Sequence, residues 1–125
     1  MKKVIFIPGA PEPIGPYSPA LLNNGMLYVS GQLPINPHNG KMVEGDISVL
    51  TRQVLENISA LLVEAGMDFS NVVKATIFLA DMNDFAKVNE VYSSYFSSDF
   101  PARETVQVAR LPLDAKVEIS VIASL

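Results

Sequence analysis

The chain has 125 residues and a formal net charge of −4, and 49% of its residues are hydrophobic while 18% are charged. This length and composition predict one compact domain over residues 1–125. No basic cluster extends beyond Met1-Lys2-Lys3, so the electrostatic footprint of a nucleic-acid-binding protein is missing. The lack of cysteine excludes disulfides, thiolate catalysis and zinc–sulfur sites.

Hydrophobic stretches are too short for targeting or membrane-spanning segments. The apolar run Val4–Ile7 ends at Pro8, and no window approaches the ~20 apolar residues of a membrane span. We therefore expect a soluble, cytoplasmic protein. The only histidine, His38, lies in the turn signature Asn36–Gly40, which predicts an exposed turn residue.

The first third of the chain predicts three strands and a loop. Residues 3–7 predict a short strand, and the proline-rich segment 8–19 predicts an ordered loop, because proline fixes φ and lacks a backbone donor. A turn signal at Asn23–Gly25 separates strands predicted near residues 20–22 and 26–31. These two strands are expected to form a hairpin.

Two helices flank a strand in the middle of the chain. Asp46 is the predicted N-cap of a helix that reaches Ala65, with Gly66 following it. Apolar residues recur at helical spacing along this segment. Residues 72–80 are nearly all apolar and predict a central strand. Asn83 or Asp84 caps a second helix, whose predicted buried face carries Phe85, Val88, Tyr92, Tyr95 and Phe96.

Two further β-patterned segments, 100–112 and 116–123, predict a hairpin of strands. Side chains alternate across a strand, so Arg103 faces away from Val106 and Val108. If the apolar faces of both strands meet one core, Arg103 and Glu118 project from the same side of the sheet. An arginine fork for a carboxylate and a glutamate for proton transfer make this pair the predicted site.

These elements predict an α+β fold, with a mixed sheet and two helices packed on one of its faces. The other face would carry Arg103 and Glu118 together with polar and apolar neighbours. That mixture suits neither a buried core nor bulk water. Another copy of the protein covering this face would place the predicted site at a subunit boundary.

Several motifs occur in order over nearly the whole chain: Ile14–Ser18, Tyr28–Pro34, Asp81–Phe85, Val88-Asn89, Phe100–Arg103 and Val108–Pro112. They resemble the reactive intermediate (enamine/imine) deaminase family, RidA or YjgF/YER057c/UK114. The resemblance implies a chorismate-mutase-like α+β fold, assembled as a homotrimer with clefts between subunits. It also implies hydrolysis of 2-imino acids, such as 2-iminobutanoate and 2-iminopropanoate, to 2-oxo acids and ammonia, without cofactor or metal.

The resemblance assigns roles to individual residues. Arg103 matches the arginine that binds the substrate carboxylate, and Glu118 matches the glutamate that activates water. Further positions match the substrate pocket: Tyr17, Ser30, Gly31, Asn89 and Thr105. Thr105 departs from the family pattern, because several members carry cysteine there. A mechanism that needs a cysteine nucleophile therefore fails for this chain.

Other functions remain open at this point. The same arginine would serve a regulatory module that binds small 2-oxo or amino acids without turnover, or would form a structural ion pair with Glu104. An endoribonuclease or translation inhibitor is a third reading. The acidic pI of about 4.8 and the lack of a histidine pair oppose this third reading.

Overall fold

The computed structural model describes residues 1–125 and contains six strands and two α helices. The strands are β1 (Lys3–Ile5), β2 (Ala20–Asn23), β3 (Met26–Gln32), β4 (Val72–Leu79), β5 (Ala102–Gln107) and β6 (Val117–Ser124). The helices are α1 (Ile47–Glu64) and α2 (Phe85–Ser93). Short 3₁₀ turns precede β4 (Phe69–Asn71), α2 (Met82–Asp84) and β6 (Pro112–Asp114).

All six strands belong to one mixed sheet in the order β1-β2-β3-β6-β4-β5. Only β4 and β5 run parallel, and α2 forms the crossover between them. The remaining neighbours are antiparallel. The predicted mixed sheet is confirmed, and β6 lies near its centre, between β3 and β4.

Both helices cover the same face of this sheet. Alternate residues of the central strands, including Ala75, Ile77 and Ile119, are fully buried beneath them. They join one core cluster with the apolar stripe of α1 and with Val88 and Tyr92 of α2. The α+β architecture predicted from the sequence is therefore confirmed.

Local signals placed most element boundaries correctly. The carboxylate of Asp46 accepts a hydrogen bond from the Val49 amide at 3.1 Å, which caps α1 as predicted. Gly66 follows the helix with φ of 74°, in the left-handed region that glycine favours. Asn24 and Gly25 also have positive φ and close the β2–β3 hairpin, as expected for a two-residue turn. Asp84 is the N-cap residue of α2, one of the two positions predicted, but its side chain makes no capping hydrogen bond.

The predicted hairpin of the last two strands is wrong. β5 pairs only with β4, which lies between β5 and β6. Arg103 is aligned with Ala75, and Ala75 in turn with Val121. The segment from Val108 to Lys116 therefore crosses over one strand, a distance of about 10 Å that nine residues easily span. Antiparallel strands joined by a short connection need not be neighbours.

The face of the sheet opposite the helices has no cover within the chain. It carries apolar side chains that are between two-fifths and one-half exposed, among them Val4, Tyr28 and Val106. Polar side chains of β6, Glu118 and Ser120, lie on the same face. We call this surface the open face. Neither helix combines the length and hydrophobicity needed to cross a membrane.

Candidate functional site

Arg103 lies at the edge of the helix-covered face. Its neighbour in register, Ala75, points into the core, and the arginine side chain reaches α2. The guanidinium donates a hydrogen bond from Nη1 to Oδ1 of Asn89 at 2.7 Å. Its Cζ lies 4.9 Å from the ring centre of Tyr92 and 5.7 Å from that of Phe85. Two aromatic rings and one amide thus hold the cation.

No carboxylate of the chain pairs with Arg103. The two ion pairs in the structure join Lys74 to Glu104 and Arg110 to Asp114. The alternative of an Arg103–Glu104 ion pair is therefore wrong. The guanidinium borders an open cleft of about 410 Å³, whose other walls are Asn89, Tyr92, Ser93, Phe100 and Pro101. A charged fork with spare donors in a cleft is suited to binding an anion.

Glu118 lies on the open face and packs against the backbone of Gly31 in the adjacent strand. A Cβ atom added to Gly31 would lie only 2.5 Å from Oε2 of Glu118 and 2.6 Å from its Cδ. Partial burial raises the pKa of the Glu118 carboxyl above its ordinary value, because the anion loses hydration. The group can therefore accept and release a proton closer to neutral pH than an exposed glutamate can.

A β-bulge shapes the strand beside Glu118. Val29 pairs with Val121 and Gln32 pairs with Ile119. Two residues of β3, Ser30 and Gly31, therefore lie opposite the single residue Ser120 of β6. Bulges of this kind commonly re-aim backbone and side chains next to functional sites. The Ser30 hydroxyl donates to the Ser18 carbonyl at 2.6 Å and ties the proline-rich loop to the bulge. Tyr17 lies in that loop, with its side chain exposed.

The predicted site residues therefore form two separate groups. Arg103, Asn89 and Thr105 lie on the helix-covered side, whereas Ser30, Gly31 and Glu118 lie around the bulge and the open face. The prediction that Arg103 and Glu118 project from the same side of the sheet is wrong within one chain.

The error has a clear physical cause. Residue alternation along β5 was predicted correctly, but its apolar residue Val106 faces the open side and is 42% exposed. Arg103 instead extends its aliphatic stem along α2 and places the charged group over aromatic rings. At an edge strand, apolar residues therefore do not identify the core face.

Sequence reasoning missed the aromatic support of Arg103. It placed Phe85 and Tyr92 on the buried face of the second helix but gave them no part in the site. Phe85, Asn89 and Tyr92 are spaced i, i+4 and i+7, which brings all three to one side of α2. The sequence could have indicated through this spacing that the three side chains lie together. That Arg103 contacts them is clear only from the position of β5 beside α2.

Thr105 lies two residues beyond Arg103 and on the same side of β5. Its hydroxyl is one of two buried side-chain polar atoms in the chain without a hydrogen-bond partner, and the other is the Tyr92 hydroxyl. Both side chains neighbour the arginine, so the unpaired polar atoms of the fold are concentrated beside the cleft.

Comparison with known proteins relates this arrangement to one family. The family model described as Endoribonuclease L-PSP matches residues 8–125, which include both groups of predicted site residues. The chain belongs to this family. The match spans the proline-rich loop, the bulge, α2 and the last two strands, and so confirms the resemblance found in the motifs.

Relatives of the L-PSP family align over almost the entire chain. A RutC family protein of Pyrococcus horikoshii is 54% identical over 123 residues, covering 98% of each chain. The 2-iminobutanoate/2-iminopropanoate deaminase of Bos taurus is 50% identical over 123 residues, covering 98% of this chain and 90% of that protein. The solved structure of E. coli TdcF with bound serine is 41% identical, with a TM-score of 0.92 and 98% of both chains covered.

Proposed function

We propose that the protein hydrolyses 2-imino acids such as 2-iminobutanoate and 2-iminopropanoate to 2-oxo acids and ammonia. The observation that carries this proposal is the Arg103 guanidinium, which is held by α2, lacks a carboxylate partner and borders a cleft. A 2-imino acid presents the carboxylate that such a fork recognises. The bovine deaminase and the serine-bound E. coli structure support a small ligand with a carboxylate.

The site in this proposal is completed by a second copy of the chain. Arg103 and Glu118 lie on opposite sides of the sheet, so one chain does not bring both to one ligand. The open face, with its exposed Val4, Tyr28 and Val106, is the surface that another copy would cover. We infer a homotrimer, with the number of subunits taken from the family resemblance. Each cleft would then combine the Arg103 group of one subunit with the Glu118 group of its neighbour.

Arg103 binds and orients the substrate in this scheme. Two parallel N–H donors of the guanidinium would take the two carboxylate oxygens, while Asn89 holds Nη1 from the side. Bidentate binding fixes the plane of the carboxylate, and with it the plane of the conjugated C=N group. The imine carbon is thereby presented to a water molecule in one defined direction.

Glu118 supplies the proton transfers. Its carboxylate would take a proton from water as the oxygen adds to the imine carbon, and would return that proton to the nitrogen. The carbinolamine hydroxyl would then give its proton, through the same carboxylate, to the nitrogen. As the C–N bond breaks, the carbonyl of the 2-oxo acid forms and the nitrogen leaves as ammonia. The reaction consumes one water and involves no net oxidation or reduction. The raised pKa of Glu118 suits a group that must both accept and return a proton.

The remaining predicted residues form the rest of the pocket. Gly31 leaves the space that the Glu118 carboxylate occupies, and Ser30 fixes the proline-rich loop against the bulge. Tyr17 in that loop would close the cleft with its ring. Thr105 would offer its unpaired hydroxyl to the ligand beside Arg103.

The direct test is ammonia release from 2-iminobutanoate and 2-iminopropanoate generated enzymatically in the assay. A reaction without the protein measures spontaneous hydrolysis. We expect release well above this background, and release equal to it contradicts the proposal. Binding of 2-oxobutanoate without turnover would instead favour a regulatory module.

The shared site has a sharper test in mixed oligomers. Arg103→Lys and Glu118→Gln should each be nearly inactive alone, because every site lacks one essential group. If the two variants co-assemble at random, about one quarter of sites receive a native Arg103 and a native Glu118, because each of the two subunits at a boundary has the required variant with a probability of about one half. Co-expressed variants should therefore recover about that fraction of activity. No recovery in mixed oligomers would contradict a site shared between subunits.

RNA cleavage, which the family description Endoribonuclease L-PSP suggests, has less support from the site. A general acid and base with a suitable pKa are needed at the scissile phosphate, and histidine is the usual choice. The single histidine, His38, lies exposed in the turn at residues 37–39. The hydrogen bond that His38 makes is from its backbone amide, to the Asn36 side chain. Incubation with single-stranded RNA provides a parallel assay, in which we expect no cleavage above a buffer control.

A further inference from the structure

The support of Arg103 by α2 is more extensive than a single hydrogen bond. Tyr92 places its ring under the guanidinium at 4.9 Å, which is well within the range of a cation–π contact. Phe85 approaches at 5.7 Å from two turns nearer the start of the helix. Tyr92 is 3% exposed and Phe85 is 36% exposed, so the tyrosine is the buried part of this platform.

Tyr92 is itself fixed by an aromatic cluster. Its ring centre lies 4.9 Å from that of Phe96, and Phe96 meets Phe69 edge-on at 5.4 Å. Both phenylalanines pack against the main core. The tyrosine ring therefore has little freedom to tilt, and it presents a fixed surface to the guanidinium.

An unsupported arginine would have to be immobilised when a ligand binds. The side chain carries roughly 2 kcal/mol of rotamer entropy, which binding must overcome unless the fork is already ordered. In this structure the Asn89 hydrogen bond fixes one edge of the guanidinium and the Tyr92 ring fixes one face. The donors that remain are those available to the cleft.

We propose that Tyr92 is a positioning residue of the carboxylate site and acts through Arg103. Its ring sets the plane of the guanidinium, so that the free edge of the fork meets the substrate carboxylate. This proposal rests on the proposed function, because it assumes that Arg103 binds a carboxylate. The role belongs to the ring, since the Tyr92 hydroxyl is buried and has no partner in the chain.

The test compares variants by calorimetric binding of 2-oxobutanoate and of its uncharged amide, 2-oxobutanamide. Tyr92→Leu removes the ring and should weaken 2-oxobutanoate binding about tenfold, the size expected for a partly desolvated cation–π contact. Binding of the amide should change less than about twofold, because the amide depends less on the charged fork. Tyr92→Phe retains the ring and should bind both ligands like the parent.

Tyr95→Leu is the matched control. Tyr95 follows α2, bonds to Glu56 through its hydroxyl and packs on Phe69, without contact to Arg103. It should lose stability without losing the preference for the carboxylate ligand. Tyr92→Met, which retains apolar bulk, replaces Tyr92→Leu if the leucine variant does not fold.

Three results would overturn the proposal. One is a preference for carboxylate over amide that survives in the folded Tyr92→Leu or Tyr92→Met protein. Another is a Tyr92→Phe protein that loses as much affinity as Tyr92→Leu, which would assign the role to the hydroxyl. The third is an equal loss for both ligands, which would indicate a general structural defect.

Arg103→Lys separates failure of this proposal from failure of the proposed function. If Arg103→Lys binds 2-oxobutanoate like the parent, the carboxylate site itself is wrong. If Arg103→Lys loses binding while Tyr92→Leu retains it, only the role of Tyr92 is wrong.

Discussion

Replacing Gly31 with alanine tests whether the position of Glu118 matters for catalysis. The new Cβ would lie 2.5 Å from Oε2 and 3.0 Å from Cγ of Glu118, whereas ordinary van der Waals contact begins at 3.4 Å. The carboxylate oxygen must therefore retreat by about 0.9 Å, or the side chain must adopt another rotamer. Gly31 does not have positive φ, so the alanine introduces no left-handed strain.

The expected effect is large for activity and small for stability. A displacement of about 1 Å in a reacting group can lower a rate about 100-fold, so we expect kcat to fall between about 10- and 100-fold. Rotating one flexible side chain away costs only about 1 kcal/mol of folding free energy. Glu118 is the nearest contact of the added methyl group, and its side chain is able to move.

The assay combines steady-state ammonia release, calorimetry of 2-oxobutanoate and a thermal melt of the same preparation. Gly25→Ala is the contrasting control, because Gly25 has φ of 76° and lies in the β2–β3 turn, remote from the bulge. That variant should lose stability through backbone strain but keep its kcat.

A kcat within twofold of the parent in Gly31→Ala would refute the placement of Glu118 as the proton-transfer group. Loss of 2-oxobutanoate binding together with turnover would also contradict it. That pattern would mean that the methyl group obstructs the ligand and does not act by displacing the base.

Three further changes probe the arginine, the glutamate and a helix end. Arg103→Lys retains the charge but loses the bidentate fork. It should lower kcat/KM by an amount that corresponds to about 2–4 kcal/mol of transition-state stabilisation. Glu118→Gln should abolish ammonia release and leave 2-oxobutanoate binding largely intact in calorimetry. The raised pKa of Glu118 means that the folded chain binds this proton more tightly than the unfolded chain, so stability falls as pH rises from about the ordinary value of 4.5 through the higher folded value. The melting temperature of Glu118→Gln should therefore be higher than that of the parent at pH 7 and equal to it well below pH 4.5. A difference in melting temperature that is the same at both pH values would contradict the burial effect. Asp46→Ala removes the cap of α1 and should lower the free energy of urea unfolding by about 1 kcal/mol, with kcat unchanged.

The parts of the fold that could be predicted depend on local chemistry. Asp46 and Gly66 mark the ends of α1 because capping and positive φ are properties of single residues and their neighbours. Asn24 and Gly25 specify the tight turn of the first hairpin for the same reason. The packing of both helices on one face of the sheet could also be predicted. It depends on the right-handedness of crossover connections and on the apolar stripe of each helix.

The arrangement of the last strands could not be predicted in this way. Whether β5 pairs with β4 or β6 depends on contacts between residues far apart in sequence, and a short connection suits either choice. The pairing of β5 with β4 also decides on which side of the sheet Arg103 lies. It brings the arginine next to α2, where the rings of Phe85 and Tyr92 contact the guanidinium. Motif resemblance proposed Arg103, Asn89 and Glu118 as candidate site residues, and three-dimensional geometry shows that they lie in two groups.

The central position of β6 has a consequence for how the chain folds during synthesis. β6 is the sixth strand in sequence, yet it joins the β1–β3 meander to the β4–β5 pair. Until residues 117–124 leave the ribosome, β3 and β4 each have an unpaired edge. The core also lacks the buried side chains that β6 contributes. The nascent chain therefore exposes apolar surface until β6 emerges, and chaperones that recognise such surfaces can bind it during that period. Folding should begin abruptly once β6 emerges, because one strand then completes two pairings at once.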